Sequence, residues 1–371
     1  MTSAIDKEKY FHNLDALRFL AFLGVFFSHT LQWQPVNKFL DLVFTFFTFN
    51  YLGVPFFFTL SSFLITFNLL KEKLKYGKIG LLRFYTNRAL RIWPIYFLMV
   101  LFYFFILPHI AGIFHLAPPT LAPIAPFLFF FVNFYVIEHG NNFSIILLIL
   151  WSISIEEQFY FFWGAAFKYI KASQVVYLFL ALIIFSIVFS YYYISMDKPM
   201  LTIHTFFVIQ NFIPGALLAW IFLLRKDLYE RFSKIPAKYM LLAYMAIPLI
   251  YLDLFHLDII LQNVIKSSCF GIIIYDQALN DQRLINFGRF RLVNYLGKIS
   301  YGLYIYHALA FAFLEKKFHF FGVDNKSSLL LNMFQVVITF LITVLMAHLS
   351  YQYIELKFLA MKVKRKNKLF E

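Results

Sequence analysis

Long apolar segments, separated by loops rich in lysine and arginine, constrain this chain more than any other feature of its sequence. Several segments approach or exceed the roughly 20 residues that an α-helix needs to cross the hydrocarbon core of a bilayer. Phenylalanine occurs 52 times, and only 14% of the 371 residues are charged, which is far from the composition of a soluble domain. The sequence therefore predicts an all-α polytopic membrane protein embedded in a lipid bilayer.

The basic residues predict how the helices are oriented, because cytoplasmic loops of membrane proteins carry an excess of lysine and arginine. The most basic loops lie around residues 71–91, 168–171, 225–238, 283–291 and 362–368. Together they predict about ten transmembrane helices with both termini in the cytoplasm. They also account for the net charge of +14 without a nucleic-acid partner. The apolar run 122–137 could be a full span or a re-entrant segment. We interpret it as re-entrant because Lys168 and Lys171 predict that the following helix runs inward, which leaves 111–142 outside, and because prolines interrupt this stretch.

The first apolar segment contains charged and titratable residues, which are costly inside a membrane. Arg18 and His29 are eleven residues apart, so at about 100° per residue they share one helix face, with about 16 Å between them along the axis. Asp15 lies near the same line. Ionisable residues at such positions are functional candidates. Arg18 could instead extend to the lipid headgroups, and His29 could be a hydrogen-bonded core residue.

A pair of arginines lies at the predicted cytoplasmic end of another apolar run. Arg88 and Arg91 are three residues apart, so they project from one helix face. The forked donors of guanidinium groups suit phosphate. The alternative interpretation is a cluster that contacts lipid headgroups under the positive-inside rule.

Two later segments carry polar helix faces. Ser152, Glu156 and Tyr160 recur every fourth residue, and Glu157 lies beside them, so this face cannot contact lipid. In the predicted topology it lies at about the depth of His29. In a third segment, Tyr304 and His307 share a face with Ser300. For both faces the alternative is hydrogen bonding that only ties helices together.

These motifs occur in a fixed order that resembles the membrane-bound acyltransferase family 3 over about residues 10–360. The resemblance is carried by the Arg-x10-His spacing of the first helix, Arg-x-x-Arg at 88–91, Trp-Ser-x-x-x-Glu-Glu-Gln-Phe-Tyr at 151–160 and the stretch 297–307. It implies a single acyltransferase domain over residues 1–371, including a basic cytoplasmic tail at 361–371. We expect no extra extracytoplasmic hydrolase-like domain.

The resemblance also implies an activity and a location. Members transfer acetyl or other short acyl groups to hydroxyls, so we expect an O-acyltransferase that uses cytoplasmic acyl-CoA, most simply acetyl-CoA. The expected acceptor is a hydroxyl of an extracytoplasmic cell-envelope glycan or polysaccharide, and the expected location is the bacterial cytoplasmic membrane. An exporter or flippase of a polysaccharide or lipid-linked intermediate is the alternative, because charged stripes in membranes also serve translocation.

Roles for individual residues follow from the resemblance and from their chemistry. His29 is expected to act as a general base on the acceptor hydroxyl or as a transient acyl carrier, and Glu156 or Glu157 could orient it. We expect Arg18 to belong to the same catalytic stripe, and Arg88 and Arg91 to bind the phosphates of the acyl-CoA. The expected supporting residues are Asp15, Ser152, Tyr160, Tyr304 and His307. The histidine spacings and the single cysteine, Cys269, predict no metal site.

Overall fold

The computed structural model describes residues 11–33, 37, 53–113, 122–141, 143–252, 256–320 and 328–361. Within these ranges the chain is helical and contains no strand, which confirms the all-α class. Short 3-10 turns lie at Leu201–Ile203 and Phe287–Arg289. The main helices are α1 His12–Thr30, α2 Gly53–Tyr76, α3 Leu81–Ile113, α4 Ala125–Leu128, α5 Val132–His139, α6 Ile145–Tyr169, α7 Ala172–Ser195, α8 Thr205–Asn211, α9 Ile213–Leu224, α10 Lys226–Ser233, α11 Ala237–Tyr251, α12 Ile259–Ala278, α13 Arg291–Lys298, α14 Ser300–Phe320 and α15 Leu329–Met361.

Six described helices are long and apolar enough to cross a membrane, namely α2, α3, α6, α7, α12 and α15. Helices α8 and α9 are bent by 41° at a short break and would form a seventh span if they are counted together. This number of apolar helices makes the chain a multi-pass membrane protein. Helices α1, α11 and α14 are not among the six, so the count of about ten spans stays a prediction.

The chain divides into two compact units, and the first comprises the described parts of residues 1–28, 35–79 and 165–298. In this unit α2 packs against α9 and α12. At Gly215 of α9, a Cβ atom would lie 2.1 Å from the carbonyl oxygen of Thr59. Only glycine therefore allows α9 to lie so close to α2. The core around this contact includes the buried aromatic residues Phe63, Phe67 and Phe270.

The second unit comprises the described parts of residues 29–34, 80–164 and 299–371. Here α14 packs against α15 and α3. The hydroxyl of Tyr301 donates a hydrogen bond to the carbonyl oxygen of Ile92 at 2.7 Å, and the hydroxyl of Tyr306 bonds to Ser350 Oγ at 3.0 Å. These bonds fix α14, which carries Tyr304 and His307, against its neighbours.

Helix α3 begins earlier than the sequence pattern indicates. The apolar run that begins at about residue 92 predicts a helix start at Trp93-Pro94, because proline suits the first turn of a helix. The helix instead starts at Leu81 and contains Pro94 in its interior. Helices in membranes tolerate internal proline because neighbouring groups can satisfy the freed carbonyl. As a result, Arg88 and Arg91 lie within the helix rather than in a loop before it.

The apolar run 122–137 forms two short helices instead of one long one. Helices α4 and α5 contain four and eight residues, far fewer than the about 20 needed to cross a bilayer. Between them Phe130 has a positive φ of 59°, a value that is uncommon for residues other than glycine and departs from helical geometry. This geometry agrees with the interpretation of a segment that does not cross the membrane, and its side of the membrane stays a prediction.

Candidate active site

The last turn of α1 places His29 against α14 in the second unit. Nδ1 of His29 lies 2.9 Å from Nε2 of His307. The two rings are nearly parallel, with an interplanar angle of 5° and 5.2 Å between their centroids. His307 is fully buried, whereas His29 is only half-buried. The pair therefore consists of an inner imidazole and an outer imidazole joined by one hydrogen bond.

A second contact joins α14 to α6 one helical turn from this pair. Nδ1 of His307 lies 2.5 Å from the carbonyl oxygen of Tyr304. The hydroxyl of Tyr304 lies 2.6 Å from Ser152 Oγ and 3.0 Å from the carbonyl oxygen of Ile149. Ser152 and Tyr304 are buried. The polar face predicted for Ser152 thus meets the face predicted for Tyr304 and His307.

The two glutamates of α6 have different partners. Tyr160 donates a short hydrogen bond to Glu156 Oε1, one turn along the same helix. Nε1 of Trp93, on α3, donates to Glu157 Oε2 at 3.1 Å. The other carboxylate oxygen of Glu157 is buried and has no hydrogen-bond partner among the described residues. Glu157 therefore retains an oxygen that could accept a further hydrogen bond.

Arg88 lies beside these carboxylates. Its guanidinium carbon is 5.8 Å from the ring centroid of Tyr160 and 5.9 Å from that of Phe84, a distance at which cation–π attraction operates. It also interacts electrostatically with Glu156 and Glu157. Its Nε is buried, with no hydrogen-bond partner in the described ranges. The guanidinium is therefore held near opposite charge while part of its donor capacity stays unused.

Arg91 belongs to the same cluster through the end of α15. It interacts electrostatically with Glu355 and with Arg88. Glu355 lies in a π-helical turn, Tyr351–Glu355, and its buried Oε1 lacks a hydrogen-bond partner among the residues that the structure describes. Two arginines and three glutamates thus share one interior region of the second unit.

Asp15 and Arg18 form a separate site in the first unit. Arg18 Nη1 lies 2.6 Å from Asp15 Oδ1, and the two side chains are 17% and 5% exposed. A Cβ atom at Gly297 would lie 1.8 Å from the carbonyl oxygen of Asp15, so α13 packs directly against α1 at this point. Helical periodicity correctly predicted that Asp15 and Arg18 share a face of α1. The structure adds that Arg18 is paired with Asp15 rather than extended into solvent.

Among the described residues, the side chain bonded to His29 is not one of the two glutamates expected to orient it. Glu156 and Glu157 hydrogen-bond to Tyr160 and Trp93, and the side chain that contacts His29 is His307. The reason is that helical periodicity fixes which residues share a face, whereas the facing helix depends on packing. The hydrogen bond from Trp93 to Glu157 was missed for the same reason.

No three His, Cys, Asp or Glu side chains of the described ranges converge on a site that could hold a metal ion. The candidate site offers imidazole, carboxylate, hydroxyl and guanidinium groups, which suffice for acid–base and electrostatic catalysis. In the second unit these groups lie at His29 and on α3, α6 and α14.

Comparison with known proteins places this arrangement in context. The O-acetyltransferase OatA of Staphylococcus aureus strain NCTC 8325 / PS 47 is 26% identical over 372 residues, which cover 94% of this chain and 57% of OatA. OatA of strain COL shows the same identity and coverage. The chain thus spans less than two thirds of the length of these relatives. No solved structure matches it significantly.

A family model described as an acyltransferase domain matches residues 11–351. This range includes the Arg-x10-His spacing, both arginines of α3, the glutamate pair and the stretch around His307. It covers nearly the whole chain, as the resemblance of the ordered motifs had predicted. The chain therefore belongs to the acyltransferase family 3.

Proposed function

We propose that this protein is an integral membrane O-acyltransferase that moves an acyl group, most simply acetyl, from acyl-CoA to a hydroxyl of an extracytoplasmic glycan. The observation that carries the proposal is a series of interacting polar groups within the second unit. His29 bonds to His307, which contacts the backbone carbonyl of Tyr304. The hydroxyl of Tyr304 bonds to Ser152 and interacts electrostatically with Glu156, which accepts a hydrogen bond from Tyr160 beside Arg88. A donor site at one end and a base at the other are the two parts that acyl transfer requires.

The arginine end suits the donor. Arg88 has an unused buried donor atom, and buried polar groups without a partner are rare enough to need an explanation. A phosphate or the amide-rich arm of acyl-CoA would supply acceptors to it. We propose that Arg88 and Arg91 bind this part of the donor from the cytoplasmic side, with Glu156 and Glu157 holding the guanidinium groups in place. The names of the S. aureus relatives favour acetyl as the transferred group.

The histidine end suits the acceptor. His29 is half-buried, so a hydroxyl can approach its imidazole. As the acceptor oxygen attacks the thioester carbon, its proton passes to His29 and a new C–O bond forms. The C–S bond then breaks, and the proton leaves with the coenzyme A thiol. No metal and no redox step is needed for this balance.

Arg18 and the membrane topology complete the proposal. Arg18 lies on the same face of α1 as His29 by helical periodicity, and its pair with Asp15 would hold its charge at a fixed position along that face. We further propose one acyltransferase domain with about ten spans, both termini in the cytoplasm, in the bacterial cytoplasmic membrane. The positive-inside distribution of lysine and arginine supports this orientation.

Inside-out membrane vesicles test the proposal against the exporter alternative. Vesicles with and without the protein receive isotopically labelled acetyl-CoA on the exposed cytoplasmic face, and mass spectrometry then measures label in the envelope glycans. We expect label in alkali-labile ester form only when both the protein and acetyl-CoA are present. Unlabelled glycans together with protein-dependent transport of polysaccharide would reject the acyltransferase and favour the exporter.

A further inference from the structure

The hydrogen-bond partners of the two histidines determine where their protons lie. A carbonyl oxygen accepts hydrogen bonds and cannot donate them. Because Nδ1 of His307 lies 2.5 Å from the carbonyl oxygen of Tyr304, that nitrogen must carry a hydrogen. In a neutral imidazole the other nitrogen is then an acceptor. Nε2 of His307 therefore presents a lone pair to His29.

The same rule fixes the second ring. Nδ1 of His29 lies 2.9 Å from the lone pair on His307 Nε2, so it must donate. The rings are nearly parallel, at 5°, and the 5.2 Å between their centroids matches two ring radii plus the 2.9 Å between the nitrogens, which places the N–H and the lone pair close to one line. The hydrogen of neutral His29 is thus on Nδ1, and its Nε2 carries an unshared electron pair.

Burial supports the neutral form of the inner ring. His307 is 0% exposed, and a fully buried charge is expensive. The partly exposed ring of His29 has one hydrogen bond within the described residues, the bond to His307. No group of the described residues bonds to its Nε2, so this atom can accept a hydrogen bond from a molecule that reaches the site.

We propose that His307 is a positioning residue that holds His29 in the Nδ1–H tautomer, so that Nε2 of His29 is the atom that takes the proton of the acceptor hydroxyl. The carbonyl of Tyr304 is the anchor of this two-ring arrangement. The inference rests on the proposed function, because it names the basic atom of the same site. It replaces the expected glutamate by a second histidine as the group that orients the base.

Nitrogen NMR on the intact protein tests the tautomer without any activity assay. The full chain is labelled with 15N-histidine and studied in lipid at about pH 8, where ordinary imidazoles are neutral. The His29 signals are assigned by their loss in His29→Ala. We expect hydrogen on Nδ1 and none on Nε2. A spectrum with hydrogen on Nε2, as the other tautomer or as the imidazolium, would overturn the proposal whether or not the protein acylates glycans.

Two substitutions separate positioning from packing. In His307→Gln the amide oxygen can still accept the hydrogen from His29 Nδ1, whereas His307→Met fills similar space without a comparable acceptor. With matched amounts of inserted protein, we expect envelope acylation by His307→Gln to stay within about tenfold of the original. Envelope acylation by His307→Met should fall by about a hundredfold or more, as expected when a base adopts the wrong tautomer.

The matched control is His109→Met, because His109 is exposed on α3. It should leave acylation unchanged. In His307→Met the NMR spectrum should also show His29 almost entirely as the Nε2–H tautomer, a change that a purely structural role would not produce. Equal activity losses in His307→Gln and His307→Met, with an unchanged His29 tautomer in both, would reject the positioning role and leave the proposed acyltransferase intact.

Discussion

Each ionisable side chain in the apolar helices has to offset its cost of desolvation, and the residues of this chain do so in different ways. Asp15 and Arg18 form a direct ion pair. Arg88 lacks such a close pair and combines aromatic rings with the longer-range attraction of two glutamates. The desolvation cost of a guanidinium held in this way is only partly offset by its neighbours. Arg88 is therefore the cation of the described site that gains most from an incoming anionic or carbonyl ligand.

Replacing Arg88 by alanine should weaken binding of the acyl donor. The loss of charge-assisted hydrogen bonds to phosphate is worth about 1.5 to 3 kcal/mol, which corresponds to a roughly ten- to hundredfold lower affinity. Lysine at position 88 should restore the affinity only in part, because it lacks the planar fork of donors. Isothermal titration of acetyl-CoA into the purified protein in detergent measures this change.

Arg289→Ala is the matched control, since Arg289 is exposed in the first unit and should not affect donor binding. Arg91→Ala should behave like Arg88→Ala if the two arginines bind the donor together. Unchanged affinity in both Arg88→Ala and Arg91→Ala would remove the donor site from the account.

Residue faces could be predicted from the sequence, but residue partners could not. The three-residue spacings correctly placed Asp15 with Arg18, and Tyr304 with His307, on common faces. Whether Glu156 or His307 meets His29 depends on which helix packs against the end of α1. That choice is made by contacts between residues distant in sequence, here between residues 29 and 307, which helical periodicity does not report.

At the scale of helices, the close approach of two helix backbones explains why glycine occupies certain positions. Gly297 lies where α13 meets α1, and an added Cβ would lie 1.8 Å from the carbonyl oxygen of Asp15. No side chain fits there without moving backbone. Since Asp15 carries the ion pair with Arg18, the spacing of these two helices also affects the predicted polar stripe of α1.

Gly297→Ala should therefore destabilise the protein. Overpacking of this kind typically costs about 1 to 3 kcal/mol, and the thermal unfolding midpoint in detergent should fall. Gly112→Ala is the matched control, because Gly112 is helical and its Cβ would meet no atom within 4 Å. If both variants unfold at the same temperature as the original protein, the close packing of Gly297 against α1 does not contribute to stability as proposed.

The helices themselves were largely predictable, because a run of apolar residues long enough to span a bilayer has few alternatives to a helix. The apolar runs at about 143–167, 258–276 and 328–355 predict helices, and they correspond to α6, α12 and α15. Breaks were harder to predict. The run 293–314 predicts one helix, but the structure divides it between α13 and α14, and α8 and α9 are bent apart before Pro214. Both breaks depend on local packing that apolar content does not reveal.

For the whole molecule, the orientation in the membrane decides which end of the polar series meets the cytoplasm. If the arginine end faces inward and His29 faces outward, a cytoplasmic donor can serve an extracytoplasmic acceptor without either substrate crossing the bilayer. The basic loops predict this orientation. The six to seven spans identified among the described helices leave the complete topology to be measured.

Reporter fusions at successive positions would determine the topology. The positive-inside rule predicts cytoplasmic reporters after Lys75, Lys171, Arg231, Arg289 and Lys366 and external reporters near Pro118, Asp197 and Lys317. Paired alkaline phosphatase and fluorescent protein fusions distinguish the two sides. A cytoplasmic signal near Pro118 would require another crossing, and the arginine and histidine ends would then need new assignments.

The most direct test of the account is envelope acylation by the His29→Ala variant, measured by mass spectrometry of the glycans at matched protein levels. General-base catalysis raises a reaction rate by about a hundred- to ten-thousandfold, so the His29→Ala variant should lose nearly all acylation activity. The variant should still insert into the membrane and bind acetyl-CoA normally. His29→Gln should fail as well, because an amide cannot take the proton, and His109→Ala should retain full activity. Normal acylation by His29→Ala would contradict the account at its centre.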